Sequence, residues 1–176
     1  MIEAWSGDEA EIPALAGILA ACVAGGASVN FLQPFSVAEA EAWWRAKLRS
    51  PGARRLLLAR LDGVIRGTVI LEPAPQPNQR HRAEISKMLV HPAARRRGLA
   101  RALLLAAEEA ARAGGHGLLT LDTEADSPAR ALYEAMGYRL AGIIPGYARR
   151  ADGSALAGAA FFYKELASGR PSPARA

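Results

Sequence analysis

Residues 82–123 read RAEISKMLV (82–90), HPAARRR (91–97), GLARALLLAAEEAARA (98–113), GGH (114–116) and GLLTLDT (117–123). The first block is a strand candidate, the second a basic loop, the third a helix rich in Ala and Leu, and the last an apolar strand. The glycine pair at 114 and 115 stops the helix. Strand, helix and strand in direct succession demand a parallel pair joined by a right-handed crossover. Where the helix begins, unpaired backbone N–H groups and the positive end of the macrodipole face outward, and Gly98 lets the main chain come close to a phosphate. The segment therefore reads as an anion cradle. It matches neither the G-x-x-x-x-G-K-[ST] loop nor the G-x-G-x-x-G fingerprint, and Arg95, Arg96 and Arg97 alone would also fit a solvated basic loop.

On the N-terminal side, Ile2 to Trp5 is a short strand candidate. Ser6 or Asp8 can cap a helix with Ile12, Leu15, Ile18, Leu19 and Cys22 at helical spacing, which Gly25 and Gly26 end. A second helix is expected from Ser36 to about Leu48, stopped by Pro51 and Gly52. Arg54 to Leu61 and Val64 to Leu71 read as a hairpin turning at Asp62 and Gly63, and Pro73, Pro75 and Pro77 should end the pairing. On the C-terminal side, Ser127 and Pro128 open a short helix that Gly137 closes. Arg139 to Tyr147 and Leu156 to Leu166 are expected as two antiparallel strands turning at Asp152 and Gly153.

At 176 residues the chain is long enough for one domain, expected over 1–167, with a Ser/Pro/Ala/Gly-rich disordered tail at 168–176. Net charge is +5, and removing Arg170 and Arg175 of the tail leaves 5 − 2 = +3, too little to demand nucleic acid. Arg outnumbers Lys 19 to 3, which with 39 alanines reflects base composition before function. The single cysteine, Cys22, permits no internal disulfide and points to a reducing compartment. The uncharged run from Ile12 to Val29 is interrupted by Pro13, Gly17, Gly25 and Gly26 and is too weakly hydrophobic for a bilayer span. The expectation is a soluble, cytoplasmic protein without a membrane or nucleic-acid partner. His81, His91 and His116 lack metal-ligand spacing, so no metal is expected.

Arg95, Gly98 and Ala100 resemble the R/Q-x-x-G-x-G/A acetyl-CoA loop of the GNAT N-acetyltransferase superfamily. Ala129, Leu132, Tyr133, Gly137 and Tyr138 resemble its second signature, N-x-x-A-x-x-L-Y-x-x-x-G-F/Y, with Asp126 in place of the usual Asn and Ser127 as its substitute. Within the superfamily the chain looks most like tabtoxin-resistance-type acetyltransferases, through Gly25 to Val29, Arg82 to Glu84, Leu121 to Ala125 and Pro145 to Tyr147. The resemblance implies a single α/β domain, a mixed and mostly antiparallel sheet of about seven strands with strands 4 and 5 parallel and helices flanking it. It implies acetyl-CoA as cosubstrate, its pantetheine arm running along Met88, Leu89 and Val90. Its phosphates would lie on Arg95, Arg96, Arg97, Gly98, Leu99, Ala100 and Arg101, with Asp126 or Ser127 beside the arm. A homodimer is also common in this group.

Amine acetylation requires removal of an ammonium proton, stabilisation of an oxyanion and protonation of the departing thiolate. The resemblance puts catalytic carboxylates at Glu84 and Asp122 and the acid at Tyr133. Without it, Glu84 reads as a strand residue paired with Arg82 or Lys87, Asp122 as a strand end and Tyr133 as core packing. The expected acceptor is a small-molecule amine, amino-acid-like or of β-lactam type. The competing classes are a noncatalytic CoA-binding module, against which Glu84, Asp122 and Tyr133 argue, and a nucleic-acid binder. The basic stripe lacks the interleaved aromatic residues the latter would use.

Overall fold

The computed structural model describes residues 1–49 and 52–166, so the expected stop at Pro51 and the tail at 168–176 lie outside the described residues. Seven strands form one sheet in the order β1-β2-β3-β4-β5-β7-β6. They are β1 (Ile2–Ala4), β2 (Arg55–Leu61), β3 (Val64–Pro73), β4 (Arg82–Val90), β5 (Leu118–Glu124), β6 (Arg139–Arg149) and β7 (Leu156–Glu165). Among the described residues the α-helices are α1 (Ile12–Ala24), α2 (Val37–Arg49), α3 (Leu99–Ala113) and α4 (Ala129–Ala135). Among the described residues only β4 and β5 pair in parallel, as the strand, helix, strand order requires.

Alternation along the strands sorts the apolar residues into two layers. Leu56, Leu58 and Ile70 face α1 and α2, joining Ile12, Leu15, Leu19 and Trp44. Leu57, Val69, Leu71, Ala83 and Ile85 face α3, joining Leu103, Leu104 and Ala107. Each leucine so buried contributes roughly 1.5–3 kcal/mol, which fixes α3, and with it the loop preceding α3, against the sheet.

Local chemistry sets the element ends. Asp62 (φ 51) and Gly63 (φ 77) form the mirror-image turn that the twist of a tight hairpin favours. Ser36 and Glu39 cap α2 reciprocally: Glu39 N–H donates to Ser36 Oγ at 3.2 Å and Ser36 N–H to Glu39 Oε2 at 2.8 Å. Asp8 caps a short 3₁₀ turn ahead of α1, accepting from Ala10 N–H at 2.9 Å. The pairing of β3 does not stop at Leu71. It continues through Glu72 and Pro73, opposite Glu84 and Ala83, because Pro73 stands at the last residue of the strand, where a missing N–H costs little.

The segment between α1 and α2 reaches across to the β6–β7 turn, where Gln33 N–H donates to the carbonyl of Ala151 at 2.6 Å. On the other face, Glu108 of α3, 2% exposed, accepts from Lys164 Nζ at 2.6 Å and from Arg112 at 3.4 Å. Lys164 also donates to the carbonyl of Met136 at 2.7 Å, so one ammonium ties α3, β7 and the end of α4 together. Removing a member of a buried pair strands the other's charge. Glu108→Ala should therefore lower unfolding free energy by about 3 kcal/mol, read as an earlier urea midpoint at unchanged slope.

Candidate active site

The parallel pairing is short. Arg82, Ala83 and Glu84 register with Leu118, Leu119 and Thr120, and there it ends, although β4 runs on to Val90 and β5 to Glu124. Beyond Glu84 the two strands part, and β4 keeps only its β3 neighbour. The register between β3 and β4 also slips between Thr68 and Ile70, opposite Lys87 and Met88, and Lys87 adopts φ +47. This bulge reverses the face that the rest of the strand presents. Ala83 and Ile85 belong to the α3 layer, whereas Leu89, of the same parity, belongs to the α1 layer. Met88, Leu89 and Val90 thus present a strand edge that β5 does not pair.

That edge leads directly to the basic loop. His91 Nδ1 accepts from Ala93 N–H at 3.2 Å and caps a 3₁₀ turn at Pro92–Ala94. Arg96 (φ +64) and Gly98 (φ +78) then take left-handed backbone conformations. The first intrahelical bond of α3 runs from Ala102 N–H to the carbonyl of Gly98 at 3.0 Å, which leaves the N–H groups of Leu99, Ala100 and Arg101 without helical acceptors. Gly98 is the N-cap and not, as expected, the first helical residue. A Cβ built on Gly98 meets no atom within 4 Å, so the glycine answers the φ and the open space in front of the amides. Arg95, Arg96, Arg97 and Arg101 are all exposed around it. Backbone amides for an amide-bearing arm, then a helix N-terminus ringed by guanidinium groups for phosphates, fit acetyl-CoA in donor type and order.

The titratable residues approach the gap from the two faces of the sheet. Glu84 and Thr120 are register partners, so Asp122, two residues beyond Thr120, shares the α1/α2 face with Glu84. Arg82 donates to Thr120 Oγ1 at 3.0 Å and Gln79 Oε1 at 2.7 Å, and Glu72 is closed by Lys47 at 2.8 Å and Arg54 at 3.0 Å. Among the described residues neither Glu84 nor Asp122 has a cation within 4.0 Å, so the pairing of Glu84 with Arg82 or Lys87 is not formed. Both carboxylates can be reached by solvent, but the surrounding protein displaces water. This pushes both pKa values up, with Asp122 as a further cause for Glu84.

Tyr133 lies in the α3 layer, with its ring 5.9 Å from those of Tyr138 and Phe162. Burial, and then the charge of Asp122, pushes its phenol up to about 12. Among the described residues nothing hydrogen-bonds its hydroxyl. Asp126 pairs with Arg150 at 3.3 Å, and Ser127 Oγ accepts from Ala129 N–H at 3.2 Å at the start of α4. Trp44 is a core residue, whereas Trp43 stands edge-on to Phe31 at 5.5 Å beside the cleft. Two features were missed in the sequence, the bulge and the place of Lys87. Their signal was the run Lys87, Met88, Leu89, Val90, where three successive apolar residues break the alternation of 82–86. No group of three or more potential metal ligands occurs among the described residues, and no helix there is long and apolar enough to cross a membrane.

A parted strand pair that leads to a helix N-terminus ringed by guanidinium groups fits an acyl-CoA-dependent N-acetyltransferase. The chain belongs to the acetyltransferase (GNAT) family, whose model matches residues 26–138. It is 38% identical over 113 residues to an uncharacterized N-acetyltransferase in the hisH-hisA intergenic region of Azospirillum brasilense, covering 61% of this chain and 67% of that protein. The fold matches a ribosomal-protein-alanine N-acetyltransferase from Brucella melitensis with a TM-score of 0.78 at 24% identity, over 94% of this chain and 99% of that one. It also matches yncA, an acetyltransferase from Salmonella typhimurium solved with acetyl-CoA, with a TM-score of 0.76 at 21% identity over 99% of each chain.

A carboxylate whose folded pKa exceeds its unfolded value favours the fold at pH below the unfolded pKa, about 4, and this contribution is lost as pH rises through the folded pKa. Glu84→Gln and Asp122→Asn should therefore raise Tm at pH 7, with the gain fading toward pH 4 in thermal scans across that range.

Proposed function

We propose that the enzyme transfers acetyl from acetyl-CoA directly to the amino group of a small molecule, through Glu84, Asp122 and Tyr133. The observation that carries this reading is the pair of carboxylates that no salt bridge closes, on one face of the sheet at the point where the parallel pairing ends. Met88, Leu89 and Val90 would hold the pantetheine arm by their backbone. Gly98, Leu99, Ala100 and Arg101, with Arg95, Arg96 and Arg97, would hold the phosphates. Asp126 is engaged by Arg150, which leaves the hydroxyl proton of Ser127 for the contact that asparagine makes in the resembling family. Bound acetyl-CoA supplies the activated thioester.

An amine of pKa about 10 is roughly 0.1% neutral at pH 7, so a positioned base matters. Glu84 takes the ammonium proton, directly or through Asp122, and its raised pKa brings it nearer the value an efficient base needs. The nitrogen–carbon bond forms as the carbon–sulfur bond breaks. Tyr133 donates its phenolic proton to the departing sulfur from the other face of the sheet and recovers it from solvent. A pKa of about 12 keeps that proton in place throughout the neutral range.

The resemblance to tabtoxin-resistance enzymes supports an amino-acid-like or β-lactam-type acceptor. Exposed Leu140, Ile143, Ile144 and Tyr147 on the outer strand β6 support a homodimer, and the free thiol of Cys22 supports a cytoplasmic setting.

Free-thiol release from acetyl-CoA across a panel of amines tests the activity, and thiol release without an acetylated amine would overturn it. Gly98→Val should fold, since its Cβ meets no protein atom, at a backbone cost of about 1–2 kcal/mol, and lose CoA binding in calorimetry. Glu84→Gln, Asp122→Asn and Tyr133→Phe should each lower single-turnover rates about 100- to 10,000-fold while CoA affinity stays near that of the parent. The two amide variants should also flatten the acidic limb of the pH–rate profile. Rates within a few-fold of the parent would make the three residues structural.

A further inference from the structure

We propose that Lys87 is the receptor for an acidic group of the acceptor, so that the enzyme selects amines carrying a carboxylate close to the nitrogen; this rests on the acetyl-transfer reading above. Lys87 sits on the β4 bulge at φ +47, a conformation that costs a side-chain-bearing residue about 1–2 kcal/mol. The bulge turns its side chain onto the face that carries Glu84 and Asp122. Its Nζ lies 5.3 Å from the ring centroid of Trp43 and 5.6 Å from that of Phe31, and it donates to the carbonyl of Val29 at 3.2 Å.

An ammonium has three donors. The aromatic faces stabilise its charge without taking those donors as an anion would. The other two lysines of the chain each close on a carboxylate, Lys47 on Glu72 at 2.8 Å and Lys164 on Glu108 at 2.6 Å. Lys87 does not: among the described residues no carboxylate comes within 4.0 Å of it. The cleft thus holds, on one face, two carboxylates and one ammonium that feel each other's charge without closing into an ion pair. A zwitterion completes both, its ammonium toward Glu84 and Asp122 and its carboxylate on Lys87. A diamine or polyamine would set a second cation against Lys87, and a peptide N-terminus carries a neutral amide where an amino acid carries its carboxylate.

The test compares free amino acids with their primary amides, which keep the amine and lose the negative charge. The parent should acetylate the amino acids with the lower KM. Lys87→Met, which keeps the stem over Trp43, should raise KM for amino acids about 10- to 100-fold and leave KM for the amides and CoA affinity within a few-fold. Lys87→Arg should recover part of the preference and serves if the methionine variant does not fold. Equal losses on amino acids and amides would make Lys87 a structural clamp and overturn the proposal. Amides or diamines acetylated by the parent as well as amino acids would overturn it and leave the acetyl-transfer reading standing. Acetylation of no amine would overturn both.

Discussion

The site depends on one failure of pairing. A parallel pair in a sheet normally continues until a strand ends, because every abandoned backbone group must find another partner. Here β4 and β5 hold together only through Glu84 and Thr120 and then diverge while both strands continue. The bulge at Lys87 redirects β4, and the register of β3 shifts with it. The result is a backbone edge with unmet hydrogen-bonding capacity, open at the end where α3 begins. The carbonyl of Val90 is partly satisfied there by the thiol of Cys22 at 3.5 Å and by Arg95 Nε at 3.4 Å. The interior of the sheet thereby acquires the polar, strand-like surface that an amide-bearing ligand needs, and the buried faces on either side stay intact.

The same parting separates the charges. Glu84 and Asp122 belong to the face covered by α1 and α2, and Tyr133 to the face covered by α3 and α4. The plane of the sheet lies between the two carboxylates and the phenol. Their environments also differ in kind. The carboxylates keep access to water and are pushed up by partial burial, whereas the phenol is 5% exposed and held protonated through the neutral range.

The succession of elements along the chain and the crossover are legible because they rest on local chemistry: glycine pairs ending helices, a mirror-image turn at Asp62 and Gly63, and an apolar strand after a helix. The basic loop and the helix start after it are legible for the same reason, being contiguous from Arg95 to Arg101. β3 runs two residues past the expected Leu71 because Pro73 stands at the strand terminus, where a missing N–H costs little, and not inside the strand. The ion pairs were beyond reach, since Arg82 chooses Thr120 and Gln79 over Glu84 only once the strands are in register. The bulge escaped for a physical reason as well. A left-handed lysine is unfavourable locally and is held by tertiary contacts, Leu89 inserting into the α1 layer and Thr68 Oγ1 donating to the carbonyl of Lys87 at 2.9 Å.

Those contacts bear on why the strain persists. Thr68 is fully buried, and its hydroxyl spends its donor on the one carbonyl that the bulge pulls out of the ladder. A buried polar group left unsatisfied costs about 1–3 kcal/mol, comparable to the strain of the left-handed residue, so hydrogen bond and bulge sustain each other. An unbulged β4 would return Leu89 to the α3 face and Met88 to the other, exchanging the residues of both layers at the end of the strand. The packing that stabilises the two cores therefore also holds the deformation open, and the cleft is as firm as the cores themselves.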